Sequence, residues 1–208
     1  MSVRVKICGI TRVEDALAAV RLGASAIGLV FWKQSARYVA PVTAQEIIRA
    51  LPPFVTTVGV YVDPDPEWVK ETFFVAGLNL LQFHGDESPE FCQRFSLPYI
   101  KAVRVRPGLD LLQYAARYVE ARGLLLDTYV DGAPGGTGYV FDWSLIPQNI
   151  PLPLILSGGL HAGNVTMAIN QARPWAVDVS SGVEASKGIK DAEKIAAFMR
   201  GVRTSESL

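Results

Sequence analysis

Short apolar runs rich in β-branched residues alternate along the chain with longer stretches whose apolar positions recur at helical spacing. The strand-like runs are VRVKIC, SAIGLVF, TTVGVYV, LNLLQF, PYIKAVRV, GLLLD, PLILS and WAVDVS. Between them lie the helix-like stretches VEDALAAVRL, AQEIIRAL, EWVKETFFVA, SPEFCQRF, LDLLQYAARYVEA, AGNVTMAIN and IKDAEKIAAFMRG. DWSLIPQN, after the sixth run, is short and broken by proline, and predicts no helix. Strands alternating with helices predict βαβ units and a parallel sheet.

Eight such units in 208 residues take about 26 residues each, which fits a compact (β/α)₈ barrel spanning 1–208 as a single domain. A doubly wound open sheet is the competing architecture. It would collect its functional residues near one switch point, whereas here polar residues end runs scattered through the chain. No long loop or composition shift marks a second domain. Thr11 and Glu14 match a capping box and predict a helix start just beyond Cys8, leaving Gly9 and Ile10 as the connecting loop. The polar end RTSESL is expected to fray over about residues 204–208.

Half of the residues are hydrophobic and 19% are charged, so a packed core is available. Twenty basic residues balance twenty acidic ones, so no global field recruits nucleic acid or an anionic membrane. An anionic ligand must be held by local dipoles and a few placed side chains. The two cysteines, Cys8 and Cys92, make no disulfide framework. Charges at Arg4, Lys6, Arg12, Glu14 and Asp15 interrupt the beginning of the chain, unlike a signal peptide. The apolar run Gly23 to Trp32 falls short of the ~20 residues of a membrane span. The expectation is a soluble, cytoplasmic protein.

Cys8 closes the first strand-like run beside a glycine. Cysteine is most often a small buried hydrophobe. Here Arg4, Lys6 and Cys8 share one strand face while Val3, Val5 and Ile7 share the other. The Val/Ile face suits packing against helices, so the polar face is expected to point into the barrel with Cys8 at its mouth. A nearby helix N-terminus and Lys6 are expected to lower the pKa of the thiol. Cys92, between Phe91 and Gln93 in a helix-like stretch, reads as packing.

Asp127 ends a run of leucines, where an unpaired charge is expensive to bury. It reads either as a turn or cap residue or as an acid, and the long glycine-rich stretch after it, around Gly135–Gly138, as a lid. Asp178 interrupts the last strand-like run and is expected to face Lys6, through an ion pair or a water. Two glycine turns, Ser157-Gly158-Gly159 and Ser180-Ser181-Gly182, follow the seventh and eighth runs, where barrels commonly bind phosphate. Ordinary turns are the alternative. His84 reads as a structural or a site residue, and Arg37 as a solvated charge or a carboxylate fork.

Taken in order, KICGIT, GLVF followed by SARYV, GVYV, QFHGDE, LLLD…GGTGYVFDW, LSGGL and VDVSSGVE…GIKDAEKIAAF resemble the phosphoribosylanthranilate isomerase family of tryptophan biosynthesis. The resemblance spans the chain apart from the tail. Ala36 departs from it, since the family usually has proline before the arginine. The resemblance implies a (β/α)₈ barrel, an Amadori rearrangement without metal or cofactor, Cys8 as general base and Asp127 as general acid. It implies phosphate held by Gly158, Gly159, Ser180, Ser181 and Gly182. Arg37 would hold the anthranilate carboxylate, His84 would position substrate, Asp178 would contact the ribose or amine, and Gly9 would leave room for the sugar. The partner would be the small-molecule substrate, in a monomer or a homodimer. Two rivals are another sugar-phosphate barrel of histidine or tryptophan biosynthesis, whose acid–base groups are carboxylates, and a phosphate-binding barrel that does no chemistry.

Overall fold

The computed structural model describes residues 2–106, 108–128, 142–147 and 149–205. Eight parallel strands close into a barrel in sequence order: β1 (Arg4–Cys8), β2 (Ala26–Val30), β3 (Thr56–Tyr61), β4 (Leu80–Phe83), β5 (Tyr99–Val105), β6 (Leu124–Thr128), β7 (Leu154–Leu156) and β8 (Ala176–Val179). Each falls on one of the eight predicted runs, β6 running one residue past its run to Thr128. β8 returns to β1 with Lys6 opposite Asp178, so the two ends of the chain make the closing seam.

The helices are α1 (Val13–Arg21), α2 (Pro41–Arg49), α3 (Pro66–Ala76), α4 (Pro89–Gln93), α5 (Leu111–Arg117), α6 (Val165–Ala172) and α7 (Ala192–Ser205). Proline opens α2, α3 and α4, where its missing N–H costs nothing. In the β6–β7 connection the described residues form only a 3₁₀ turn, Trp143–Leu145, as the proline-broken stretch predicts. The glycine-rich stretch around Gly135–Gly138, expected as a lid, lies outside the described residues.

Strand alternation sorts the core into two layers. Ile7, Ile27, Leu29, Leu81, Phe83, Leu124, Leu126 and Val177 face outward and bury against Ala16, Ala19, Ala44, Ile47 and Phe198 of the helices. Inside the barrel, Ile100, Ala102, Leu125, Ile155 and Ala176 form an apolar plug. Cys8, Val30 and Val60 pack together with Trp32 nearer the mouth. Cys92 is fully buried in the outer layer, as expected.

Three local expectations fail. The capping box does not form. Arg12 is the N-cap of α1 without a side-chain bond, and the Thr11 hydroxyl donates instead to the Gly188 carbonyl. The stretch read as one helix from Ile189 begins as a short strand. β9 (Glu184–Ser186) pairs antiparallel with β10 (Ile189–Lys190), and α7 starts only after Asp191, whose carboxylate accepts from the N–H groups of Glu193 and Lys194. Last, the tail is helical through Ser205, because Val202 is buried beneath it; only residues 206–208 of the expected fray lie outside the description.

Candidate active site

At the C-terminal mouth of the barrel, one cavity is lined by Cys8, Val30, Trp32, Arg37, Gln82, His84, Asp127, Ser157, Gly158, Gly159, Asp178, Ser180 and Ser181, among others. Strand register produces this convergence. Lys6 and Cys8 of β1, Gln82 of β4, Asp127 of β6 and Asp178 of β8 all fall on inward positions of their strands. Every sequence-predicted site residue except Gly182 therefore faces one space.

The expected contact across the seam forms: Lys6 Nζ donates to Asp178 Oδ1 at 2.8 Å, and both side chains are buried. Ser157 Oγ donates to the other carboxylate oxygen at 3.2 Å. Burial pulls the Lys6 ammonium down, but the charges of Asp178 and Cys8 and the hydrogen bonds to them together outweigh it and leave the pKa above its ordinary value. This pairing alters the reading of Cys8. The thiol is pushed up, first by burial and also by Asp178, and the opposing pulls of Lys6 and Lys190 do not reverse it. The expected lowering fails because burial, reinforced by Asp178, outweighs the pull of Lys6.

Gly28, directly opposite Cys8 on β2, is what gives the sulfur its place. A Cβ there would stand 2.7 Å from Cys8 Sγ and 3.1 Å from Lys6 Cε. Gly9 has another role than the one expected. At a φ of +75° its missing side chain makes room for Arg37, whose Cδ would lie 2.5 Å from a Cβ.

Arg37 is a fork, but its paired nitrogens face a protein carboxylate. Nε and Nη2 donate to the two oxygens of Glu184 at 2.7 and 2.8 Å. Lys190 Nζ donates to Glu184 Oε1 at 2.9 Å and to the Ser180 carbonyl at 3.1 Å. Burial alone would raise the Glu184 carboxyl; its bonds to Arg37 and Lys190 instead hold it below the ordinary range. Arg37 thus presents only its remaining N–H edge to the cavity. Glu184 and Lys190 were not singled out in the sequence, because the pairing of Glu184 with Arg37, which Lys190 joins through the same carboxylate, crosses 147 positions of chain.

On the opposite wall, His84 Nε2 lies 3.0 Å from Asp127 Oδ2, and Asp127 Oδ1 accepts from the Thr128 N–H at 2.8 Å. Gln82 Nε2 lies 2.9 Å from His84 Nδ1. Thus the histidine is tied to Asp127 at a separation of 43 residues. Gln82, Trp32, Val30 and Val60 also went unnoticed. Alternating apolar residues in a strand carry no mark of which faces a ligand, and a lone glutamine reads as solvent-facing.

The two glycine turns close the far end. Gly158 has a φ of +81° and Gly159 a φ of +64°, and a side chain on Gly158 would run into Thr128 and Asp127. Gly159, Ser180 and Ser181 reach the cavity. Gly182 does not: it lies under the Leu160 carbonyl so closely that any Cβ would collide with it. Its function is to let the two loops interlock. Among the described residues no group of three or more His, Cys, Asp or Glu side chains is arranged to hold a metal ion, and no helix is long and apolar enough to cross a membrane.

Known proteins match this arrangement over its whole length. The family model described as N-(5'-phosphoribosyl)anthranilate isomerase covers residues 5–201. Proteins of that name from Nitrosospira multiformis and Nitrosomonas europaea are 78% and 66% identical over 208 residues; the first match covers 100% of both chains, the second 100% of this chain and 99% of the relative. The crystal structure of phosphoribosyl anthranilate isomerase from Thermotoga maritima superposes with a TM-score of 0.90 at 44% identity, covering 97% of this chain and 99% of the other. A second structure of such an isomerase, in complex with reduced 1-(o-carboxyphenylamino)-1-deoxyribulose 5-phosphate, gives 0.87 at 44% identity over the same shares. With these likenesses spanning every strand and both glycine turns, the chain belongs to the phosphoribosylanthranilate isomerase family.

Proposed function

We propose that this protein converts N-(5'-phosphoribosyl)anthranilate into 1-(o-carboxyphenylamino)-1-deoxyribulose 5-phosphate, with Asp127 as general acid and Cys8 as general base. One observation carries the assignment of roles: the thiol and the carboxyl line a single cavity that also holds the glycine turns after β7 and β8.

The rearrangement moves protons without changing atomic composition. Asp127 gives a proton to the ribose ring oxygen as the ring C–O bond breaks, and the amine lone pair forms a C1=N iminium ion. Cys8, as thiolate, removes the proton from C2, and that electron pair neutralises the iminium to give an enolamine. The C2 hydroxyl then loses its proton while C1 gains one, which leaves the ketone. The iminium is the electron sink, so these steps draw on side chains alone. Its positive charge beside Cys8 favours the thiolate, offsetting the burial that raises the free thiol. Each proton-transfer group is worth on the order of 10²–10⁴ in rate.

The phosphate fits backbone N–H groups at Gly159 and Ser181, which need no net positive charge. The apolar wall of Val30, Val60 and Trp32 suits the anthranilate ring, and the free edge of Arg37 suits its carboxylate. Asp178, held by Lys6 and Ser157, is left to face the ribose or the amine. The test is the fluorescence change as the purified protein consumes phosphoribosylanthranilate. Cys8→Ala and Asp127→Asn are each expected to lower kcat by on the order of 10²-fold or more while a product analogue still binds. Near-normal turnover of Cys8→Ala would remove the thiolate from the mechanism.

A further inference from the structure

Gln82 occupies an unfavourable place for an amide. It is fully buried, with Val60 beside it on β3 and Ile100 on β5, in a layer that a leucine or methionine would fill without cost. Its Oε1 is buried with no hydrogen-bond partner, so the cost of taking it out of water goes uncompensated. What it has in return is one bond, from Nε2 to Nδ1 of His84 at 2.9 Å.

The amide NH₂ can only donate, so Nδ1 of His84 must be the accepting, proton-free nitrogen of the ring. A neutral imidazole then carries its proton on Nε2, which lies 3.0 Å from Asp127 Oδ2 and can donate to it. The reversed amide would place Oε1 against Nδ1 and demand a proton there. Nε2 would then either be bare and face the lone pairs of Asp127, or the ring would be an imidazolium. We infer that Gln82 is a positioning residue that fixes His84 as the neutral Nε2–H tautomer, and through it aims the Asp127 carboxyl into the cavity. This rests on the reading of Asp127 as the acid.

The chain has two histidines, His84 and His161, so ¹⁵N spectra of its imidazoles are simple to assign. At neutral pH, His84 of the intact protein is expected to show one protonated nitrogen, Nε2. Gln82→Glu, of equal size, should accept from Nδ1–H and hold His84 doubly protonated. Gln82→Met, which offers no strong donor, should let both tautomers appear. Both variants should lose on the order of tenfold in kcat with KM within about twofold, and both should bind a product analogue. A wild-type ring protonated on Nδ1, or a Gln82→Met variant keeping the pure Nε2–H form, would overturn the tautomer assignment. A shifted tautomer with unchanged kcat would overturn the positioning role, provided that Asp127→Asn is inactive. If Asp127→Asn is active as well, the acid assignment itself fails, while the spectra still decide the tautomer. Should Gln82→Met fail to fold, the wild-type and Gln82→Glu spectra carry the decision.

Discussion

Cys8 sits between opposed influences, and its chemistry can be tuned from either side. Asp178 pushes the thiol up and Lys6 pulls it down, with burial deciding the net direction. Asp178→Asn is therefore expected to shift the pH profile of Cys8 alkylation by iodoacetamide to lower pH, and Lys6→Met to higher pH. Mass spectrometry of the modified peptide reads both. Cys92, fully buried, does not compete. Identical profiles for the three proteins would show that the seam pair has no hold on the sulfur. At this scale the sequence reveals a residue where its chemistry contradicts its place. A thiol and two carboxylates at strand positions stand out for that reason, and all three line the cavity. The partnerships of Arg37 with Glu184 and of His84 with Asp127 carry no such sign, since long-range folding alone brings them together. The role of Gly9 was missed on the same account: the group it clears is a protein side chain.

At the scale of strands and turns, alternation of apolar runs was enough to find every strand of the barrel, because each outward face must match a helix. Ends were harder. Thr11 has the right spacing for a cap, yet its hydroxyl is taken by Gly188, 177 residues away. The β9–β10 hairpin was hidden because its strands, three and two residues long, are too short to show alternation. Two glycines test the element geometry. Gly28→Ala is expected to fold but to displace Cys8 Sγ, costing kcat rather than substrate affinity, since the added methyl meets a movable side chain. Gly182→Ala meets backbone instead, at the Leu160 carbonyl. It should lower stability by about 1–3 kcal/mol and weaken inorganic phosphate binding, by denaturation and by calorimetry respectively. Equal phosphate affinity would separate the interlock from the anion site.

Closure of the whole barrel was legible from the number of repeating units, and the helix missing between β6 and β7 among the described residues from one proline. The outer core also sets how the molecule responds to alkali. Burial pushes the Cys92 thiol and the Tyr99 hydroxyl up to about 12, from ordinary values of 9.0 and 10.0. Both are neutral when folded and ionise more readily when unfolded. Their contribution is fully present below about pH 9 and is lost as the pH rises toward 12. Each proton released only on unfolding steepens the decline by about 1.4 kcal/mol per pH unit. Urea denaturation of wild type and Cys92→Ala across this range should show a shallower slope in the variant, whatever its stability at pH 7; parallel curves would exclude the thiol as a contributor.

The bond between Lys6 and Asp178 spans 172 positions, so it cannot exist until nearly all of the polypeptide has left the ribosome. Until then the first strand can pair only with β2, and the cavity lacks Asp178 and the turn after β8. The full lining of the cavity is therefore assembled only when the last strand docks against the first.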